Sequence, residues 1–415
     1  MAYIDQFFDY LISVGASDFH LSEGEPPKIR KHGDIMAIPG REGIPVSREE
    51  AAYMLSEISG PERWARFEES GDLDFAYEMN ENSRFRCNYF KQTRGYGAVF
   101  RLIPTKIATL EQLGIPPVVK EFGHMRGGLV LVTGPTGSGK STTLAALIDY
   151  INVNFPRHVV TVEEPIEFVH SNKRSIITQR EVPEHTPSFP VGLKAALRED
   201  SDIVLVGEMR DLETIQLALT AAETGLLVFG TLHTNNARKT VDRMIDVFPS
   251  DQQSQVRTML AASLRGVIAQ LLLKKTAEVG GGRIAVNEIL VVNSAVSAII
   301  REGATQKLQD VIVAGKGQGM QFMDDAIWKE MQQGVVSPHE AYMKAIDKGR
   351  FKVFLPEEEQ ELGNSAGGNA NDRPPANAPT APAVRPPTGG RPAPPPNRPF
   401  IRPPTRPPGS PPAEG

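Results

Sequence analysis

Cysteine is almost absent: Cys87 stands alone among 415 residues. That excludes an internal disulfide framework and any multi-cysteine zinc site, and points to a reducing cytosol. No window reaches about eighteen apolar residues, so no membrane-spanning helix is expected. The opening Met1-Ala2-Tyr3-Ile4-Asp5-Gln6 has neither a basic region nor an unbroken apolar stretch, so no signal peptide is expected. A large charge of one sign is missing too, the net being -5. Residues 364–415 carry six arginines against Asp372 and Glu414, which makes them about +4 and leaves the rest near −9. An acidic body argues against a nucleic-acid partner. Action at a membrane would then run through protein partners, without direct insertion.

What is present suffices for two sizeable cores. Ile4, Phe7, Phe8, Leu11 and Ile12 recur at helical spacing and Gly15 closes that helix. Strand candidates follow at Pro27–Arg30, Leu73–Tyr77, Phe85–Phe90 and Gly97–Ile103, predicting a small α+β domain over residues 1–105. Residues 106–128, with Pro116-Pro117 and Gly127-Gly128, read as a linker containing a short helix. Strands then alternate with helices over 129–360: Leu129–Val132, His158–Val162, Ile203–Val206, Leu226–Leu232 and Ile284–Leu290, with a helix at Leu212–Glu223. This α/β alternation predicts a mostly parallel sheet covered on both faces. Ser254–Leu273 carries Val256, Leu260, Leu264, Val267, Ile268 and Leu271 on one stripe at helical spacing, read as core. Residues 364–415 hold half of the 34 prolines and almost no apolar mass, and are expected to be disordered with polyproline character.

The strongest chemical signal is Gly134-Pro135-Thr136-Gly137-Ser138-Gly139-Lys140-Ser141-Thr142, a G-x-x-x-x-G-K-S loop between an apolar strand and a helix. Glycines let successive N–H groups turn inward on an anion, Lys140 reaches the β- and γ-phosphates, and the Ser141 hydroxyl suits Mg²⁺. The chain therefore binds a nucleotide, with phosphates at a helix N-terminus. Glu208 ends the run Asp202–Glu208, where a carboxylate at the end of a buried strand can hold Mg²⁺ through water. Glu163-Glu164-Pro165-Ile166-Glu167 fits equally a solvated acidic turn or a carboxylate that takes a proton from attacking water. His233 is either a structural hydrogen-bonder or a group that meets the γ-phosphate. Arg84, Arg86, Arg94 and Arg101 either solvate a sheet face or supply a cation to phosphates bound elsewhere.

These blocks, with Gly15–Leu21, Arg84–Asn88, Leu197–Asp202, Gly207–Ile215 and Asp242–Pro249, resemble the secretion-type hexameric ATPases and, among them, the type IV pilus retraction ATPases. The likeness covers about residues 3–350. It implies a PAS-like N-terminal domain, a RecA-like P-loop ATPase domain and a cytoplasmic homohexamer at the inner face of the membrane. Such a ring would burn ATP with Mg²⁺ and act on the inner-membrane pilus platform protein, with a paralogous retraction ATPase as a possible companion. By the same resemblance Glu163 is the general base, Glu208 the Mg²⁺-side carboxylate, and Arg86 and Arg101 the arginines that close on the phosphates. Extension and type II secretion motors carry a four-cysteine zinc module, which one cysteine cannot build. Two departures stand out. Leu226 occupies a usual histidine position, and Ala295–Glu302 lacks the first arginine of the family's Ala-Ile-Arg-x-x-Ile-Arg-Glu element. They leave open an accessory or regulatory paralog of a retraction motor.

Overall fold

In Ser83–Gln92, Phe85, Cys87 and Tyr89 alternate with Arg84, Arg86 and Asn88, a period of two that sends the two sets to opposite faces of a sheet. The computed structural model, which describes residues 2–31, 34–80, 83–103 and 106–356, builds that sheet from β1 (Asp18–Ser22), β2 (Lys28–Lys31), β3 (Asp34–Ala37), β4 (Asp72–Asn80), β5 (Ser83–Gln92) and β6 (Gly95–Ile103). Their order is β3-β2-β1-β6-β5-β4, antiparallel at every pairing. Helices α1 (Asp5–Ser13) and α2 (Arg48–Ser70) pack on the apolar face. Phe8 anchors α1: its ring stacks on Phe85 at 4.1 Å between centroids and meets Phe100 edge-on at 5.1 Å. The sequence reading contains α1 and misses α2. Ser47 caps α2 by accepting the Glu50 N–H, but Gly60, at φ 74°, and Pro61 break its helical run midway, which blurs the periodicity.

From Gly128 the apolar runs lose their alternation, as strands buried on both faces do. The second sheet comprises β7 (Gly128–Thr133), β8 (His158–Glu163), β9 (Ile176–Glu181), β10 (Ile203–Val206), β11 (Leu227–Leu232), β12 (Leu264–Lys274) and β13 (Arg283–Val291). Their order is β13-β12-β7-β11-β10-β8-β9. All pairings are parallel except β12 with β13, and every residue of β7, β10 and β11 is buried. Helices α3 (Val118–His124), α4 (Lys140–Asn154), α5 (Phe189–Ala196), α6 (Leu212–Glu223), α7 (Ala237–Asp246), α8 (Gln253–Ser263) and α9 (Ser294–Glu302) complete the layers. One core joins α6, α7 and α8 to Leu129, Val204 and Val228; the other joins α3 and α4 to Val130, Val132 and Phe229. The expected α/β architecture with a mostly parallel sheet is borne out.

The stripe over Ser254–Leu273, read as core, is largely buried but is divided between two elements. Helix α8 stops at Ser263, and from Leu264 the chain is a strand between β7 and β13. Val267 and Ile268 favour the pleated sheet, and a side chain at Gly266 would strike the Phe122 ring, 2.3 Å from its Cζ. Both periods bury the same leucines, so the stripe alone does not separate them. The edge strand β9 is also missing from the sequence reading, because only its first two residues, Ile176 and Ile177, are apolar. Among the described residues no helix is long and apolar enough to cross a membrane. The Pro/Arg-rich segment 364–415 lies outside the described residues.

Truncating the Phe8 anchor should cost about 3–5 kcal/mol. Phe8→Ala is therefore expected to lower the urea midpoint of the first unfolding transition. An unchanged midpoint would mean that this aromatic cluster does not hold α1 to the first sheet.

Candidate functional site

Register brings the site together. Val162 of β8 lies opposite Val206 of β10, Val206 opposite Gly230 of β11, and Gly230 opposite Leu131 of β7. Four parallel strands thus end at one edge of the sheet, the position where open α/β sheets bind ligands. Glu163, Gly207-Glu208, Thr231–His233 and the 134–142 loop all leave from that edge. The Gly207 N–H donates to Val162 O at 2.8 Å. A Cβ at Gly207 would lie 3.2 Å from Glu163 Cα, so glycine there lets the two carboxylate-bearing ends approach.

The phosphate loop closes against β12, not only against its own helix. A Cβ at Gly134, which has φ 146°, would sit 2.3 Å from Gln270 O; only glycine suits that turn. Gln270 Nε2 donates to Ser138 O at 2.7 Å, while its Oε1 accepts from Thr143 Oγ1 at 2.8 Å and Asn287 Nδ2 at 3.0 Å. One amide thereby ties the loop to the first turn of α4. Sequence reading missed Gln270; its only signal is a polar residue inside an apolar strand. Lys140 Nζ donates to Gly134 O at 2.9 Å and Pro135 O at 3.2 Å. Burial draws the Lys140 ammonium below its usual range, against the opposing pull of Glu208 and Glu167.

Ser141, Thr161, Glu163, His170 and Gly207 line a cavity of about 30 Å³, enough for one water. Glu163 Oε1 accepts from Thr161 Oγ1 at 2.7 Å and Gln179 Nε2 at 3.2 Å. Burial nevertheless dominates and lifts its carboxyl to about 7. Glu208 has the opposite balance. Burial raises it, but Arg210 and His233 outweigh that and hold it below the usual range. Arg210 Nη2 donates to Glu208 Oε2 at 2.6 Å, and His233 Nε2 lies 2.9 Å from Oε1. Sequence reading did not single out Arg210, although it sits two residues from Glu208.

Arg86 and Arg101 lie elsewhere. They face each other across β5 and β6, both exposed, with Arg86 Nε 4.0 Å from Asp74 and Arg101 Nε 2.7 Å from Asp18. Their partners within the chain are thus acids of the first sheet.

Residues 3–343 match the family model described as type II/IV secretion system protein. The chain belongs to that family. The type IV pilus retraction ATPase PilT of Pseudomonas aeruginosa is 48% identical over 342 residues, 82% of this chain and 98% of that protein. The twitching motility protein of Neisseria gonorrhoeae is 49% identical over 319 residues, 77% of this chain and 84% of that protein. A crystal structure of the pilus retraction motor PilT with bound ADP aligns at a TM-score of 0.78 and 41% identity, covering 84% of this chain and 98% of that one. In this secretion-family chain the two departures lie away from the strand ends that carry the site. Leu226 precedes β11 at its far end, packed on the core, and Ser297, at the missing arginine's place, lies within α9.

Gln270→Leu should leave Ser138 O and Thr143 Oγ1 without their partner, at about 1–3 kcal/mol. Nucleotide affinity, read by titration with a fluorescent ADP analogue, is expected to fall about 5- to 150-fold. Unaltered affinity would remove Gln270 from the support of the loop.

Proposed function

We propose that this chain is an ATP-hydrolysing motor that powers type IV pilus retraction, working as a cytoplasmic homohexamer on the inner-membrane pilus platform protein. The observation that carries the reading is Glu163, a carboxyl raised to about 7 by burial in the cavity that Ser141 also lines. A base with that affinity is matched to accept a proton from water near neutral pH. The N–H groups of Gly134–Thr142 and the charge of Lys140 would bind the β- and γ-phosphates at the start of α4. The Ser141 hydroxyl and the Glu208 carboxylate, kept ionised by Arg210 and His233, form an all-oxygen donor set that fits Mg²⁺. Bound there, Mg²⁺ would neutralise charge on the phosphates.

On this reading residues 1–105 form one lobe, 106–128 the connection and 129–360 the motor. Arg86 and Arg101 face outward from the first lobe, which suits delivery to the phosphates of a neighbouring subunit. A cation supplied in that way is worth roughly 10³–10⁵ in turnover. Movement of the lobe against the neighbouring motor sheet would carry the work to the platform.

Lys140→Ala should still assemble while losing hydrolysis, and should not restore twitching to a deletion strain; normal turnover would refute the loop assignment. Glu163→Gln is expected to keep nucleotide binding and to lose about 10²–10⁴ in turnover. The base acts ionised, so wild-type kcat should drop about tenfold per unit as pH falls below the Glu163 value, which lies at about 7. An acid limb that persists unchanged in Glu163→Gln would remove Glu163 from that role.

A further inference from the structure

Glu181 ends β9 directly opposite Glu163 at the end of β8, with its side chain 4% exposed. One of its carboxylate oxygens, Oε2, serves two masters. It accepts from Arg84 Nη2 of β5 at 3.1 Å and from the Ile166 N–H at 3.2 Å. Ile166 belongs to the turn that leaves Glu163, and Val182 N–H donates to Glu163 O at 2.9 Å. A second contact reinforces the same seam: Arg63 Nη2 of α2 donates to Glu184 Oε2 at 2.8 Å. The first lobe thus holds the edge of the motor sheet through two carboxylates, one reached from β5 and one from α2, and the one reached from β5 also pins the Ile166 N–H, three residues after Glu163.

Exposed ion pairs count for little, but a buried carboxylate stripped of its cation is strongly unfavourable. Moving β5 away from β9 would leave Glu181 in that condition and free it to rearrange, and the Ile166 turn with it. Arg84 Nε is buried without a hydrogen-bond partner, so the guanidinium is not locked into a saturated network. We propose that Arg84 and Glu181 are a positioning pair that makes the placement of Glu163 depend on the seating of the first sheet against the motor sheet of the same chain. The proposal rests on Glu163 being the base. Hydrolysis is then gated from within each subunit, separately from any cation that a neighbour supplies.

The test compares full-length Arg84→Ala, Glu181→Gln and the double variant with Glu163→Gln, each checked for ring size and thermal melting. Each single change should lower kcat by about 10–100-fold with KM for ATP within about twofold. The double should be no worse than the weaker single, as coupled partners are. The acid limb of the kcat profile should also move in Arg84→Ala, a change that a merely structural brace would not cause. If Glu181→Gln does not fold, Arg84→Ala and Arg84→Gln carry the same readouts. Unchanged kcat, a loss confined to KM, or additive single effects would overturn the pairing. Full turnover in Glu163→Gln would instead sink the underlying assignment of the base.

Discussion

The parallel register of β8, β10, β11 and β7 is the constraint on which the other features depend. Each of these strands contributes a different chemical group at its carboxyl end, and only parallel pairing puts those ends on one edge. The six residues of β11 rise about 20 Å, so reversing one such strand would carry its terminal group out of reach of the others. Leu226 and His233 illustrate the distance, since they bracket the same strand. The glycine contacts fix the alignment. Gly134 against Gln270 allows an approach that any side chain would prevent, and Gly207 against Glu163 a tight one that a side chain would force apart by a few tenths of an ångström.

Within that frame two carboxylates at the ends of neighbouring strands meet opposite surroundings. Glu163 keeps two neutral donors, Thr161 and Gln179, which do not offset its burial. Glu208 is also partly buried, yet a guanidinium and an imidazole reach it. Environments that push two acids apart divide their work: one stays ready to take a proton and the other stays charged. The division follows from which elements end nearby. β11 brings His233 to Glu208, and the segment after β10 brings Arg210, whereas Glu163 shares its cavity with apolar Leu144, Phe168 and Leu205.

The local groups were legible in the sequence because their signals are local. The loop at 134–142, the acids after apolar runs and the unbroken hydrophobicity of β7, β10 and β11 can each be read within about ten residues. The missed features depend on distant partners or on competing periods. Gln270 gains meaning only beside Ser138 and Thr143, more than 100 positions away, and Glu181 only beside Arg84. The boundary at Ser263 was hidden because the same leucines satisfy a helical stripe and a buried strand. Helix α2 was hidden by Gly60-Pro61, which reads as punctuation but is carried within the helix as a kink.

Alternation on β5 gives the arginines their separate assignments. Arg84 and Arg86 are two positions apart and therefore share the face opposite Phe85 and Cys87. At that spacing one residue can be enclosed while the next emerges. Arg84 lies against buried Glu181 of its own chain, and Arg86 is left exposed beside Arg101. Because the strand is stiff, displacement of β5 moves both guanidiniums together. Any displacement of β5 from β9 would draw Arg84 off Glu181 in the same motion. The seating of one strand thus decides whether Glu181, and the Ile166 turn that it holds, keep their cation.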